Sequence, residues 1–453
     1  MNLPQIMVAA PASGSGKTTA ACALLTALRR RGLAPCAFKC GPDYIDPMFH
    51  RAALGVDSCN LDLFLTRPAR LRQLYAQRLA GHGAAVIEAA MGYYDGAALT
   101  DAASAWQVAD TLGLPVLLVV RPGGASLTLA AQIRGLRAFR PDSHLAAILL
   151  NECSPGYAAR LAPLLERETG LPVIGCLPRL EEARLPSRHL GLYTAAEIDN
   201  LSGRLNALAD ALEANASLDR LLDLCRRPAP EAAAEALPPV RAKIAVARDA
   251  AFCFCYPESL DALRAAGAEC VFFSPLADAA LPAAQGLYLP GGYPELYAGA
   301  LSQNQPMRRA VAAAVQSGMP TVAECGGFLY LGQALADKEG KRWPMVGVLP
   351  GEGFAARGLV RFGYASLTAE EDSLLFRSGE AGPAHEFHHW DSTSPGTALA
   401  AQKPDGRAWR CGFVSARLYA AFPHLYWAGR PELAARFADA AAAYRKEKHH
   451  AAV

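Results

Sequence analysis

The chain has 453 residues, of which 52% are apolar and 19% charged, with a formal net charge of +2. That length suits two or three domains of about 150 residues each. The near-neutral balance gives no electrostatic case for nucleic acid or an anionic membrane surface, and no apolar stretch is long enough to span a bilayer.

The start, Met1-Asn-Leu-Pro-Gln-Ile, lacks a basic region and runs directly into a functional motif. It reads as mature protein, not as a leader, and the twelve cysteines read as reduced thiols of a cytoplasmic protein. A strand is expected at residues 6–10 and a helix at 17–31. Between them lies Pro11-Ala-Ser-Gly-Ser-Gly-Lys-Thr-Thr19. This is where a phosphate loop belongs: Ser13, Gly14, Ser15 and Gly16 wrap phosphates with backbone N–H groups, Lys17 supplies charge, the Thr18 hydroxyl can hold Mg²⁺, and Thr19 completes the run. Pro11 stands in place of the usual first glycine.

Two acidic motifs follow. Lys39-Cys-Gly-Pro-Asp-Tyr-Ile-Asp-Pro-Met-Phe-His50 offers Lys39, Asp43, Tyr44 and Asp46 in a turn-rich loop. Glu88-Ala-Ala-Met-Gly-Tyr-Tyr-Asp-Gly96 places Glu88 at the end of a buried strand (residues 85–88), with Asp95 beyond it. In an open parallel sheet that edge binds ligands. Carboxylates there (Asp43, Asp46, Glu88 and Asp95), beside a phosphate loop and the Thr18 hydroxyl, suit Mg²⁺ held together with nucleotide phosphates, or with Lys39 and Tyr44 could position a substrate. The carboxylates could equally stabilise turns. Further strands are expected at 116–120 and 146–150, and one or two amphipathic helices at 201–225. Apolar strands alternating with helices imply a parallel sheet covered on both faces.

Residues 226–240, rich in Pro, Ala and Glu, read as a linker between a first domain (1–225) and a second (241–446). The second half restarts with strands at 243–247, 270–273, 286–289 and 321–323, continues through a β-rich stretch (345–409), and ends in a helix (431–446) with a disordered tail (447–453). Cys253-Phe-Cys255 lacks partners at zinc-ligand spacing and reads as structural. Cys325, in Thr321-Val-Ala-Glu-Cys-Gly-Gly-Phe328, has the strand–turn–helix form of a nucleophile elbow. The helix N-terminus behind its sulfur is expected to favour the thiolate. Pro290-Gly-Gly292, one strand earlier, can aim the Gly292 N–H at an oxyanion, with the Gly326 N–H as second donor. His424 is the expected base, with the cluster His385-Glu-Phe-His-His389 as its rival.

Gly41-Pro-Asp-Tyr-Ile-Asp-Pro47, Met91-Gly-Tyr-Tyr-Asp-Gly96, Ala245-Val-Ala-Arg-Asp-Ala-Ala-Phe252, Leu289-Pro-Gly-Gly-Tyr-Pro-Glu295, Ala323-Glu-Cys-Gly-Gly327 and His385-Glu-Phe-His388 occur in this order. Together they resemble the cobyrinate a,c-diamide synthases, from residue 10 to about residue 436. The resemblance implies an α/β fold of two domains: a P-loop, dethiobiotin-synthetase-like amide synthetase and a triad-type (class I) glutamine amidotransferase. It maps Lys17 and Thr18 to ATP and Mg²⁺, Asp43, Asp46, Glu88 and Asp95 to metal, substrate or intermediate, Cys325 to the nucleophile and His424 to its activator. The preference for His424 as base comes mainly from it. Two positions depart from the family pattern. Tyr426 stands where triad enzymes carry a Glu, and Ala421-Phe-Pro-His424 replaces the usual Ser-Tyr-Leu-His.

The resulting expectation is ATP- and glutamine-dependent amidation of the a and c acetates of cobyrinate through an acyl phosphate, with ammonia released at Cys325. The expected partners are the corrinoid, ATP and L-glutamine, without nucleic acid or membrane and with a homodimer as one arrangement. The alternatives are the same chemistry on hydrogenobyrinate or nickel-sirohydrochlorin, or a regulatory P-loop ATPase fused to an inactive glutaminase-like module.

Overall fold

The computed structural model describes residues 2–184, 187–188, 191–192, 198–233 and 236–450. The chain divides into two compact units, Met1–Ala234 and Glu235–Val453.

In the first unit, strands β1 (Asn2–Ala9), β2 (Pro35–Cys40), β3 (Ser58–Leu61), β4 (Ala84–Glu88), β5 (Val116–Val120), β6 (Leu145–Asn151) and β7 (Val173–Leu177) form one sheet in the order β3-β2-β4-β1-β5-β6-β7. Every pairing along that order is parallel. Helices cover both faces, so the strands are buried almost throughout. This is why they read as continuous apolar runs and not as alternating ones. α1 (Lys17–Arg30) follows β1 and packs its apolar side into one of the two cores. α2 (Ile45–Leu54) follows β2, with Asp46 in its first turn and Gly55 in the left-handed conformation at its end. The two helices expected over 201–225 are Leu201–Asn215 and Leu218–Leu224.

Two boundaries differ from the sequence reading. Arg226–Pro228, placed at the head of the linker, forms a short strand that pairs antiparallel with the start of β1. The Gln5 side chain donates to the carbonyls of Arg227 and Pro228, tying the segment to the first unit. The C-terminal helix runs Pro431–His450, so 447–450 continue it instead of forming a tail. Residues 451–453 lie outside the described residues.

The second unit holds a six-stranded sheet in the order Ala268–Phe273, Ala242–Ala247, Gly286–Leu289, Thr321–Glu324, Leu418–Ala421, Phe413–Ser415. All pairs are parallel except the last. The β-rich stretch resolves into two four-stranded sheets; one contains Arg361–Ala369 paired antiparallel with Ala381–His388. All twelve cysteines are free thiols. Among the described residues no helix is long and apolar enough to cross a membrane.

Candidate active sites

In the first unit the parallel sheet brings the C-terminal ends of β1, β4, β2 and β6 to one edge. The loop after β1 turns into α1 through Gly16, whose φ of 98° is left-handed. A Cβ there would also lie 1.9 Å from Asn151 Nδ2. Asn151, at the end of β6, donates to the Ser15 carbonyl at 2.9 Å and so braces the loop. Ser15 Oγ donates to the Ala12 carbonyl. Ser13 and Gly14 are exposed, and Thr19 is half-buried in the first turn of α1. Lys17 Nζ donates to the carbonyls of Ala12 and Met91, so the segment after β4 folds against the loop. Tyr93 N–H donates to the Ala10 carbonyl and fixes that approach. Asp95, exposed, accepts from the Gly92 N–H at 3.0 Å and contributes to the field at Lys17. Burial, then the Lys39 charge, brings the Lys17 amine down to about 8.

A buried ionic group lies beside the loop. Lys39 and Glu88 are register partners on β2 and β4, which puts both side chains on one face of the sheet. Lys39 Nζ lies 2.8 Å from Glu88 Oε1 and 2.5 Å from Asp46 Oδ2. Burial opposes the Lys39 charge, but Asp46, Glu88 and Asp43 outweigh it and hold the amine well above its usual range. Asp46 is correspondingly held low despite its burial, chiefly by Lys39. Asp43 is pushed up to about 7, by burial and then by Asp46. Its Oδ1 accepts from the N–H groups of Ile45 and Asp46, capping α2. Tyr44, half-buried, immediately precedes α2. Thr18 Oγ1 donates to Glu88 Oε1 at 2.5 Å. The other oxygen, Glu88 Oε2, is buried without a hydrogen bond, 3.7 Å from His50 Nε2. A hydroxyl and a carboxylate edge beside a phosphate loop are hard oxygen donors and fit Mg²⁺. Among the described residues no three His, Cys, Asp or Glu are grouped so as to hold a metal ion.

In the second unit Cys325 follows the strand Thr321–Glu324 with φ 48° and ψ −103°, an elbow outside the usual wells. Such a backbone costs of order 1–3 kcal/mol and marks functional turns. Its N–H donates to the Ala421 carbonyl at 2.8 Å, and its carbonyl accepts from Leu329. His424 and Cys325 converge on Gly291: a Cβ built there would lie 2.4 Å from His424 Cε1, 3.2 Å from Nε2 and 3.5 Å from Cys325 Cβ. The Gly292 nitrogen lies 3.1 Å from where a Gly326 Cβ would be, so the two candidate oxyanion donors are backbone neighbours.

The expected thiolate preference is overturned. The helix behind Cys325 has only six residues, Gly326–Leu331. Burial first, then Glu295 and Glu386, pushes the thiol well up; the Gly326 N–H offsets this only in part. Burial thus works against the thiolate that the helix was expected to favour.

In the His385 cluster, the rival base, His385 and His388 make contacts of their own. His385 and His424 exchange backbone hydrogen bonds of 3.0 and 2.8 Å, which hold the loop after Pro423. The His385 imidazole is lowered to about 3 by burial and then by His424. His388 stacks on Phe422 at 4.0 Å, binds the Trp390 carbonyl through Nδ1 and approaches Glu386 Oε2 at 3.1 Å through Nε2. Tyr426 turns its hydroxyl to Glu258 at 3.4 Å. Beyond the sequence-derived set, the structure adds Asn151, His50, Gly291 and Glu324. His50, Gly291 and Glu324 lie within or beside motifs read from the sequence, whereas Asn151 carried no local signal. Glu324 is buried, accepting from Tyr288 OH at 2.9 Å and Leu425 N–H at 3.1 Å.

Comparison with known proteins agrees with this division of labour. The family model of a CobQ/CobB/MinD/ParA nucleotide binding domain matches residues 6–192. That of a CobB/CobQ-like glutamine amidotransferase domain matches residues 243–432. A protein of Gloeobacter violaceus named cobyrinate a,c-diamide synthase is 40% identical over 95% of this chain and 96% of its own. One of the same name from Listeria innocua is 36% identical over 95% and 97%. A Pseudomonas aeruginosa protein named hydrogenobyrinate a,c-diamide synthase is 40% identical over 95% and 96%. The chain belongs to this a,c-diamide synthase family of glutamine-dependent, amide-forming ligases.

Proposed function

We propose that the chain amidates the a and c acetate side chains of cobyrinate, with ATP as the activating substrate and glutamine as nitrogen donor. One observation carries the reading: a single chain holds both a phosphate-loop motif whose Lys17 and Thr18 are engaged with Met91 and Glu88, and a Cys325–His424 pair converging on Gly291.

In the second unit Cys325 Sγ attacks the side-chain amide carbon of glutamine while His424 takes the thiol proton. The oxyanion rests on the N–H groups of Gly292 and Gly326. His424 returns the proton to the departing ammonia, and water then releases glutamate from the thioester. In the first unit a corrinoid carboxylate attacks the γ-phosphorus of ATP, and ADP leaves from an acyl phosphate. Ammonia displaces inorganic phosphate to give the amide. Lys17 and the loop amides balance the phosphate charge, so catalysis there is positioning and electrostatics. Thr18, Glu88 and Asp43 would hold Mg²⁺, which supplies charge neutralisation at the phosphates. Lys39, Tyr44, Asp46 and Asp95 frame the substrate and the intermediate.

The test is product mass analysis after incubation with cobyrinate, ATP and glutamine, counting carboxylates converted to amides. Two conversions are expected. No amidation of any corrinoid sinks the reading. Cys325→Ala should lose glutamine use and keep synthesis from added ammonia; indifference to this change would favour a regulatory ATPase instead. The hydrogenobyrinate name of the Pseudomonas aeruginosa relative makes that macrocycle the second substrate to assay.

A further inference from the structure

We propose that Glu324, the residue immediately before the nucleophile, is the positioning residue of the glutaminase: its carboxylate orients the His424 imidazole through Nδ1 and stabilises the imidazolium formed when His424 takes the Cys325 proton. The proposal rests on the reading of Cys325 and His424 as the glutaminase pair.

Glu324 Oε2 lies 3.8 Å from His424 Nδ1, with both side chains almost fully buried. That is an ion-pair separation and not a closed hydrogen bond. Such contacts commonly tighten only when the reacting complex forms. The carboxylate cannot swing away, because its two oxygens are held from different elements. Tyr288 OH, on the strand Gly286–Leu289, donates to Oε2 at 2.9 Å. The Leu425 N–H, next to the base, donates to Oε1 at 3.1 Å. Backbone register makes the arrangement rigid. Glu324 is the parallel-sheet partner of Ala421, and the Cys325 N–H donates to the Ala421 carbonyl. The carboxylate thus ends one strand of the pair, the nucleophile follows it, and the base follows the partner strand.

The electrostatics need such a group. A buried carboxylate with only neutral donors in these two bonds is costly unless a positive charge appears beside it. Proton transfer from Cys325 to His424 creates that charge at Nδ1's ring, and Glu324 accepts no proton itself. The other titratable groups around His424 serve elsewhere. Tyr426 points to Glu258. His385 is held in the neutral form by its burial. Glu386 pairs with His388 at 3.1 Å and faces Arg361 at 3.9 Å. Glu324 therefore fills from the strand side the role that triad enzymes give to a residue two places after the histidine.

The experiment is Glu324→Gln, whose amide oxygen can still accept a bond while the charge is gone. Wild-type glutamine hydrolysis, and its loss in Cys325→Ala, first establish the underlying glutaminase; if they fail, that reading has failed and not this one. Expected for Glu324→Gln is a fall in glutamine-dependent kcat of about 100-fold or more. KM for glutamine should stay within about threefold, since the residue acts in the transition state. A kcat within threefold of wild type, or a rise in KM alone, overturns the proposal. A second measurement does not depend on Glu324→Gln folding: the histidine ¹⁵N spectrum of the wild-type chain, with His424 assigned by difference against His424→Ala. The neutral ring should carry its proton on Nδ1, toward Glu324; an Nε2–H tautomer overturns the proposal.

Discussion

Gly291→Ala is the sharpest steric test of the glutaminase geometry. The backbone there is not in the left-handed region, so alanine brings a methyl group and no conformational strain. That methyl would sit 2.4 Å from His424 Cε1 and 3.2 Å from Nε2. Carbon atoms in contact lie about 3.5–4.0 Å apart, so the imidazole must retreat by roughly 1.1 Å or more. It has little room, being 2% exposed and anchored by both backbone bonds to His385. A misplacement of about 1 Å in a catalytic group costs on the order of 100-fold in rate, or about 2.7 kcal/mol in the barrier. Overpacking should cost a further ~1–3 kcal/mol of stability. The assay is steady-state glutaminase activity beside amidation from added ammonia. The expected result is a loss of about 100-fold in the first with the second intact. A variant whose glutaminase rate stays within threefold of wild type would refute the placement of His424 against Gly291.

Three further outcomes follow from the first unit. Gly16→Ala puts a Cβ 1.9 Å from Asn151 Nδ2 at a φ of 98°, so ATP binding measured by calorimetry should disappear; retained affinity would contradict the loop geometry. Lys39→Met leaves Asp46 and Glu88 buried without their cation, which should cost about 3–5 kcal/mol in urea unfolding of this unit. The deficit should shrink as the pH falls and the carboxyls protonate; a midpoint equal to wild type at neutral pH would count against the ionic group. Burial and Lys39 place the Lys17 amine near 8, so it is charged below that pH and neutral above it. ATP phosphates favour the charged form. Affinity should therefore weaken as the pH rises past 8, with proton uptake on binding above it, measured calorimetrically in two buffers of different ionisation heat. A pH-independent affinity with no proton uptake would refute the shifted amine.

How far the fold could be read from sequence depended on burial. Val116–Val120 and Gly286–Leu289 are short apolar runs closed by Pro or Gly, and both strands stand where their sequence placed them. Pro35–Cys40 and Ser58–Leu61 carry no such signature, because Lys39 and Asn60 interrupt them. Those polar residues are tolerated inside the sheet because other groups satisfy them. Lys39 meets Asp46 and Glu88, and Asn60 donates to the carbonyls of Gly41 and Asp43. The same residues that made these strands illegible tie them to Asp43, Asp46 and Glu88.

The active sites divide along the same line. The phosphate loop and the elbow are local: their chemistry lies within nine consecutive residues, and a single pass along the chain finds them. The thiolate argument was local too, and it failed because desolvation depends on everything packed around the sulfur and not on the helix behind it. The partner of His424 is non-local in a different sense. Tyr426 marks the place where a triad carboxylate is usually sought, and that search ends at a tyrosine turned toward Glu258. The carboxylate that faces the ring is 100 residues upstream, beside the nucleophile, and reaches it only because Thr321–Glu324 and Leu418–Ala421 pair in parallel with Glu324 opposite Ala421. Slipping that register by one residue would turn Glu324 to the other face of the sheet. The strand pairing, more than either motif, decides whether the cysteine has a base with a partner.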